Sequence, residues 1–211
     1  MRNIPIVTKN LLIVNVAVFV ASYFFGKDVS GESLLNNWLG LHFFMASDFH
    51  IYQLFTYMFM HGGFEHILFN MFALWMFGCV VERVWGPKKF LFYYIVCGVG
   101  AGLFQEAAQY VTYVVYDFVN TGVARIPMGE YLNLWTTVGA SGAIYAILLA
   151  FGMIYPNERI FIFPIPIPIK AKYFVFFYGL AELTMGVANF SGDTVAHFAH
   201  LGGMLFGFIL I

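Results

Sequence analysis

The chain alternates between long apolar runs and shorter polar or aromatic connections. With about 20 apolar residues per helical crossing as the measure, the pattern predicts six spans. They lie near Leu11 to Phe25, Phe64 to Val81, Phe90 to Tyr110, Ser141 to Tyr155, Ala171 to Met185 and Asp193 to Ile211, the fourth being short. Backbone breakers support the boundaries: Gly86-Pro87 parts the second span from the third, and Pro156-Asn157 stops the fourth. The alternation of Pro164, Pro166 and Pro168 predicts an extended connector before the fifth span. Two connections are long. Leu35 to Met60 carries Trp38, His42, Tyr52 and Tyr57, side chains suited to the headgroup level. Val111 to Trp135, broken by Gly122, Pro127 and Gly129, predicts a folded connection partly embedded in the interface. The first apolar run ends at Phe25-Gly26-Lys27 without a small-x-small cleavage site, so it is expected to stay as a span. The sequence stops at Ile211 inside an apolar run, and the chain is expected to continue past it. Residues 1–211 read as a single domain, an all-α polytopic membrane bundle of six transmembrane helices.

Composition agrees with lipid as the main solvent. Of 211 residues 61% are hydrophobic, 20% aromatic and 10% charged, more apolar surface than a soluble domain of this size hides. The near-zero net charge of −1 leaves no basic surface, which sets nucleic-acid binding aside. The cations are unevenly placed: Arg2, Lys9, Arg83, Lys88, Lys89, Arg159, Lys170 and Lys172 fall on one side of the six spans, Lys27 and Arg125 on the other. Under the positive-inside rule this puts the N-terminus in the cytoplasm. The second, fourth and sixth spans then enter from the extracytoplasmic side, and His66, Ser141 and His200, near their starts, share one depth. Cys79 and Cys97 lie in apolar runs without CxxC spacing and read as buried thiols.

Ionisable and polar groups at membrane depth are expensive, and each on a span is a functional candidate. Three clusters carry chemistry. In Gly139-Ala140-Ser141-Gly142, followed by Tyr145, a serine opens a helix whose first amides have no intrahelical partner. That arrangement suits a nucleophile beside half an oxyanion hole, although a Gly-Ser turn that only caps and packs a helix stays open on these residues alone. In Ala199-His200-Leu201-Gly202-Gly203, with Gly207, a small-residue face permits close helix approach and sets His200 beside it. Such approach is what a general base needs to reach a serine within about 3 Å; a histidine satisfied by a carbonyl in a packed bundle is the alternative. His197 reads as a surface or structural group one turn nearer the membrane surface.

In His61-Gly62-Gly63-Phe64-Glu65-His66, continuing to Asn70, His66 and Asn70 stand four apart on one helical face and offer two donors to an oxyanion. His61 points elsewhere and is expected to tie down the preceding loop. No HExxH occurs, and His197 and His200 would need ligands from other spans, so no metal is expected. Asp193, about 10 Å along a helix from His200, is too far to orient it, which leaves a dyad with Tyr145 packing against the imidazole. Glu82, with Arg83 and Lys88, reads as an anchor for the second span. Glu106 and Glu182 read as reaching interfacial water, with an ion path in a small transporter as the competing view.

Taken together and in this order, the three clusters resemble those of the rhomboid family of intramembrane serine proteases, over most of the chain. The resemblance implies that Ser141 is the nucleophile, His200 its general base and acid, and Tyr145 a packing partner. His66, Asn70 and the Ser141 amide would form the oxyanion site, with Gly139, Gly142, Gly203 and Gly207 in support. It also implies a mobile fifth span as substrate gate with Phe69 beside it, transmembrane protein substrates cut near their extracytoplasmic end, the lipid bilayer as surroundings and no cofactor. The location expected is the plasma (inner) membrane. Tyr52-Gln53 stands where many members carry a Trp-Arg pair, which puts the anchoring of the first loop in question. A catalytically inactive relative that retains membrane clients is the other reading of the family likeness.

Overall fold

A computed structural model describes residues 3–27, 31, 33–120, 132–133, 136–162, 165–188 and 195–211. Helices dominate. They are α1 (Ile6–Phe24), α2 (Leu34–Leu39), α3 (Gln53–Thr56), α4 (Phe64–Ala73), α5 (Cys79–Trp85), α6 (Pro87–Asn120), α7 (Ser141–Ile154), α8 (Ala171–Ala188) and α9 (His197–Leu210). A single 3₁₀ turn, Tyr57–Phe59, follows α3. A wide π turn, Leu74–Gly78, joins α4 to α5, so that Phe64 to Trp85 runs on as one continuous rod. Among the described residues, three helices have the length and hydropathy to cross a bilayer: Ile6–Phe24, Phe64–Trp85 and Pro87–Val114. Two shorter apolar helices, Ser141–Ile154 and His197–Leu210, stand among them.

The distribution of side chains is that of a protein dissolved in lipid. Ile13, Val16, Val20, Phe24, Phe72, Trp75, Phe92, Phe176, Phe177, Phe208 and Ile209 face outward. Asn15, Gln53, Asn70, Glu82, Gln105, Glu106, Glu182 and His200 are buried. Where water cannot solvate polar groups, they must find partners inside the bundle. Tyr57 and Tyr93 illustrate this: their hydroxyls donate to the carbonyls of Gly98 on α6 (2.6 Å) and Ala146 on α7 (2.8 Å), pinning neighbouring helices at fixed depth.

The last helix, α9, is the centre of the bundle and packs most extensively on α6 and α7. Its seam with α7 is closed by glycine. A Cβ on Gly203 would lie 1.9 Å from the Gly142 carbonyl oxygen, so only hydrogen at this position lets the two backbones meet. Gly207 continues the contact beside Tyr93 and Ala146, and Gly142 sits against Ala101 of α6.

Several expectations are revised. The third helix does not end at Tyr110 but continues to Asn120, so the first part of the stretch read as a loop is helical. Its remaining breakers, Gly122, Pro127 and Gly129, lie outside the described residues, as do Arg2, Arg125, Pro164 and Asp193. The connector before the fifth helix is extended, but it is also paired. Strand β3 (Arg159–Ile162) runs antiparallel to β4 (Ile165–Lys170), with Arg159 opposite Lys170 and Ile160 opposite Ile169. A two-stranded ribbon leaves each strand one open edge, where the N–H groups missing from Pro166 and Pro168 cost no ladder bond.

Glu82, read as an anchor for the second span, does not face solvent. It is buried, and its carboxylate accepts from the Val7 and Thr8 amides at 2.9 and 2.7 Å and from the Thr8 hydroxyl. It thereby closes the N-terminus of α1, whose first amides have no intrahelical acceptor. Cys79 and Cys97 are buried free thiols.

The first loop is anchored without the Trp-Arg pair. Gln53, 1% exposed, accepts from the His42 and His50 amides and donates to the Trp38 and Asp48 carbonyls. Thr56 Oγ1 adds a bond to Leu39 O at 2.6 Å, and Asn36 Nδ2 donates to His61 O. From α6, Glu106 accepts the Phe44 amide at 2.7 Å. Glu106 is therefore buried beneath the loop and does not reach interfacial water.

Candidate active site

The segment entering α7 is fixed from two sides before the helix begins. A short strand β1 (Leu41–His42) in the first loop pairs antiparallel with β2 (Thr136–Thr137), and the Gly139 amide donates to Tyr57 O at 2.9 Å. Gly139 then turns the chain at φ 132°, a left-handed conformation that disfavours any residue with a Cβ. A Cβ there would also fall 2.8 Å from His66 Nε2 and 3.5 Å from Ser141 Oγ. The absence of a side chain thus admits the His66 ring against the serine's own turn.

Ser141 is the first residue of α7, and His200 lies in the first turn of α9. Close packing at Gly203 brings the two together. Ser141 Oγ lies 2.8 Å from His200 Nε2, a bond between residues 59 apart in sequence. The Tyr145 ring, one turn along α7, stacks on the imidazole with centroids 4.2 Å apart and planes within 7°. The start of α9 is held by α6, where Gln105 Oε1 accepts the Ala199 amide at 3.1 Å.

On the opposite side of Ser141, His66 projects from the first turn of α4. Its Nδ1 accepts from the Gly62 amide at 3.4 Å, which leaves Nε2 as the protonated nitrogen, next to the Gly139 turn. Asn70, one turn further on α4, is buried, and its Nδ2 has no hydrogen-bond acceptor among the described residues. Phe69 faces outward on the same helix and is 70% exposed. His61 packs edge-on against His66, 5.1 Å between centroids. Burial, and secondarily the His66 imidazole, hold its pKa down to about 3.

The structure supplies one group that sequence reasoning placed elsewhere. Glu182 on α8 is 7% exposed, and far from reaching interfacial water it meets three donors. Its Oε2 lies 2.8 Å from His200 Nδ1 and 2.6 Å from His197 Nδ1, while Oε1 accepts the Tyr145 hydroxyl. His197 is therefore buried in the site and is not a surface group. The signal was an acidic residue inside an apolar span; its partners on α7 and α9 could not be read without the helix arrangement. The ligand atoms of Glu182, His197 and His200 all lie within 4.8 Å of one another, so a partner from another span does exist for the two histidines. Such a set resembles the two-His, one-carboxylate donors of zinc sites. Here each Nδ1 points at the carboxylate oxygen as a hydrogen-bond donor.

A serine hydroxyl on a histidine, the histidine backed by a carboxylate, and a neighbouring imidazole are brought together inside a helical bundle with a lipid-suited exterior. The Rhomboid domain family matches residues 48–211, and the chain belongs to the rhomboid family. It is 27% identical over 208 residues to Rhomboid protease AarA of Providencia stuartii, covering 96% of this chain and 70% of that protein. It is also 27% identical over 203 residues to Rhomboid-like protein 16, chloroplastic, of Arabidopsis thaliana, and 28% identical over 203 residues to RHOMBOID-like protein 12, mitochondrial, of the same plant. The chain spans 59% and 55% of those two relatives' lengths. It is an integral membrane protein of this family.

Proposed function

We propose that the protein is an intramembrane serine endopeptidase acting through Ser141 and His200. The observation that carries this reading is the 2.8 Å contact between Ser141 Oγ and His200 Nε2, across two helices whose glycines meet. In the proposed reaction His200 takes the serine proton as Oγ attacks the scissile carbonyl, then returns it to the leaving amine; water hydrolyses the acyl-enzyme with the same base. His66 Nε2–H, Asn70 Nδ2 and the Ser141 amide receive the oxyanion, each donor contributing about 3 kcal/mol to lowering the barrier. The buried, unpaired Asn70 amide and the His66 ring against Gly139 favour this assignment.

The same reading has six spans, with α7, α8 and α9 as the last three, and an N-terminus in the cytoplasm of the plasma (inner) membrane. Substrates are transmembrane proteins cut near the extracytoplasmic face, entering between α4 and α8 with Phe69 at the gate, and the chemistry requires no cofactor. A protease among the relatives by name, and a complete Ser-His pair in this chain, favour an enzyme over a client-binding scaffold. Cleavage of a generic single-span substrate by the purified protein in detergent tests it, with Ser141→Ala and His200→Ala alongside and chelator added to each. Activity that resists chelator and disappears in both variants is expected. Cleavage that persists in either variant refutes the dyad, and no cleavage by any form favours the scaffold.

A further inference from the structure

We infer that Glu182 completes the arrangement as a positioning residue, holding the His200 imidazole with its proton on Nδ1 and its bare Nε2 toward Ser141. This rests on the Ser141-His200 reading and extends it from two residues to three. The proposed reaction fixes where the protons of the cluster must lie. For the serine hydroxyl to donate to His200 Nε2, that nitrogen must be unprotonated, so the neutral ring carries its proton on Nδ1. Nδ1 of a buried ring needs an acceptor, and Glu182 Oε2 is 2.8 Å away.

The carboxylate in turn has its donors. His197 Nδ1 reaches the same oxygen at 2.6 Å and the Tyr145 hydroxyl serves Oε1, so an acceptor-only group is satisfied by three N–H or O–H bonds. Tyr145 thereby does two things at once, stacking on the His200 ring and fixing the carboxylate that orients it. The five members come from three helices: Ser141 and Tyr145 from α7, Glu182 from α8, His197 and His200 from α9. During acylation the serine proton moves to Nε2, and the proton on Nδ1 stays in place. The imidazolium then formed stands 2.8 Å from a carboxylate that stabilises its charge without taking up a proton.

The test uses the purified full chain in detergent, with kcat and KM measured separately for Glu182→Gln, Glu182→Asp and Ser141→Ala. Glutamine keeps the shape, accepting from His200 through its oxygen and facing Tyr145 with its amide, but it removes the charge. The expected result is a kcat lowered about 100-fold or more with KM within about twofold, since the interaction is made chiefly with the imidazolium of the transition state. Aspartate, one methylene short, recovers part of the loss. A Glu182→Gln enzyme with parental kcat beside an inactive Ser141→Ala enzyme overturns the role of Glu182 and leaves the Ser-His reading standing. An active Ser141→Ala enzyme sinks that underlying reading instead.

Loss of parental activity in chelator with recovery on adding zinc also overturns the proposal, by making the carboxylate a metal ligand. Should Glu182→Gln fail to fold, nitrogen NMR of the unsubstituted protein labelled at histidine decides the matter, with His200→Asn for assignment. His200 protonated at Nδ1 and bare at Nε2 is expected at neutral pH; the opposite tautomer refutes the inference.

Discussion

Gly203→Ala is the smallest change that addresses the core of the site. The added methyl would lie 1.9 Å from the Gly142 carbonyl oxygen, 2.7 Å from its carbon and 3.2 Å from its Cα. All three are backbone atoms, so no side chain can rotate away. Bringing the shortest contact out to the 3.0 Å at which real Cβ contacts begin needs the helices to part by about 1.1 Å at this level. His200 lies one turn earlier on α9 and Ser141 is next to Gly142, so the separation is transmitted almost directly to the 2.8 Å bond between them. A displacement of that size takes the pair out of hydrogen-bonding range, and about 1 Å of misplacement costs on the order of 100-fold in rate. Overpacking also costs about 1–3 kcal/mol of stability.

The assay is cleavage of a single-span substrate in detergent, with kcat compared at a temperature where circular dichroism shows the variant folded. Gly63→Ala is the control, because the same methyl meets nothing within 4 Å there and the backbone is extended. A Gly203→Ala enzyme within twofold of the parent would refute the claim that backbone contact between α7 and α9 sets the serine–histidine distance.

Three further outcomes follow from contacts elsewhere. Gln53→Ala strands four backbone groups of the first loop and should cost about 2–4 kcal/mol, read as a lower unfolding temperature with faster hydrogen exchange over residues 38–50; unchanged exchange there would show that the loop is held by other means. Tyr145→Phe keeps the stack on His200 but removes the donor to Glu182, and kcat should fall roughly 3- to 10-fold, in line with one lost hydrogen bond of about 1 kcal/mol, with KM unchanged. His61, held down to about 3 by burial, stays neutral in the folded protein while the unfolded chain protonates below its ordinary value of 6.5. Its contribution to stability is complete above pH 6.5 and is lost as pH falls from 6.5 toward 3, about 3 kcal/mol by pH 4.5. Unfolding measured at pH 7 and 4.5 should therefore show a smaller acid penalty in His61→Asn, and an equal penalty would contradict the assignment.

Much of the molecule was legible in the chain because its constraints are local. A bilayer demands runs of apolar residues, so the long helices at Ile6–Phe24, Phe64–Trp85 and Pro87–Val114 follow from hydropathy, with the third simply continuing further than its apolar core. Glycine beside serine and glycine one turn after histidine mark close backbone approach, and such approach is what brings Ser141 and His200 together. The tertiary structure decided where the remaining buried charges go. Glu82, Glu106 and Glu182 look alike in sequence, each an acid within or beside an apolar helix. One closes the first amides of α1, one holds the first loop at Phe44, and one backs His200. A carboxylate in lipid must take whatever donors its neighbours present, and those neighbours are 74, 62 and 18 residues away. Helical periodicity reports which residues share a face, but it carries no information about which helix that face will meet.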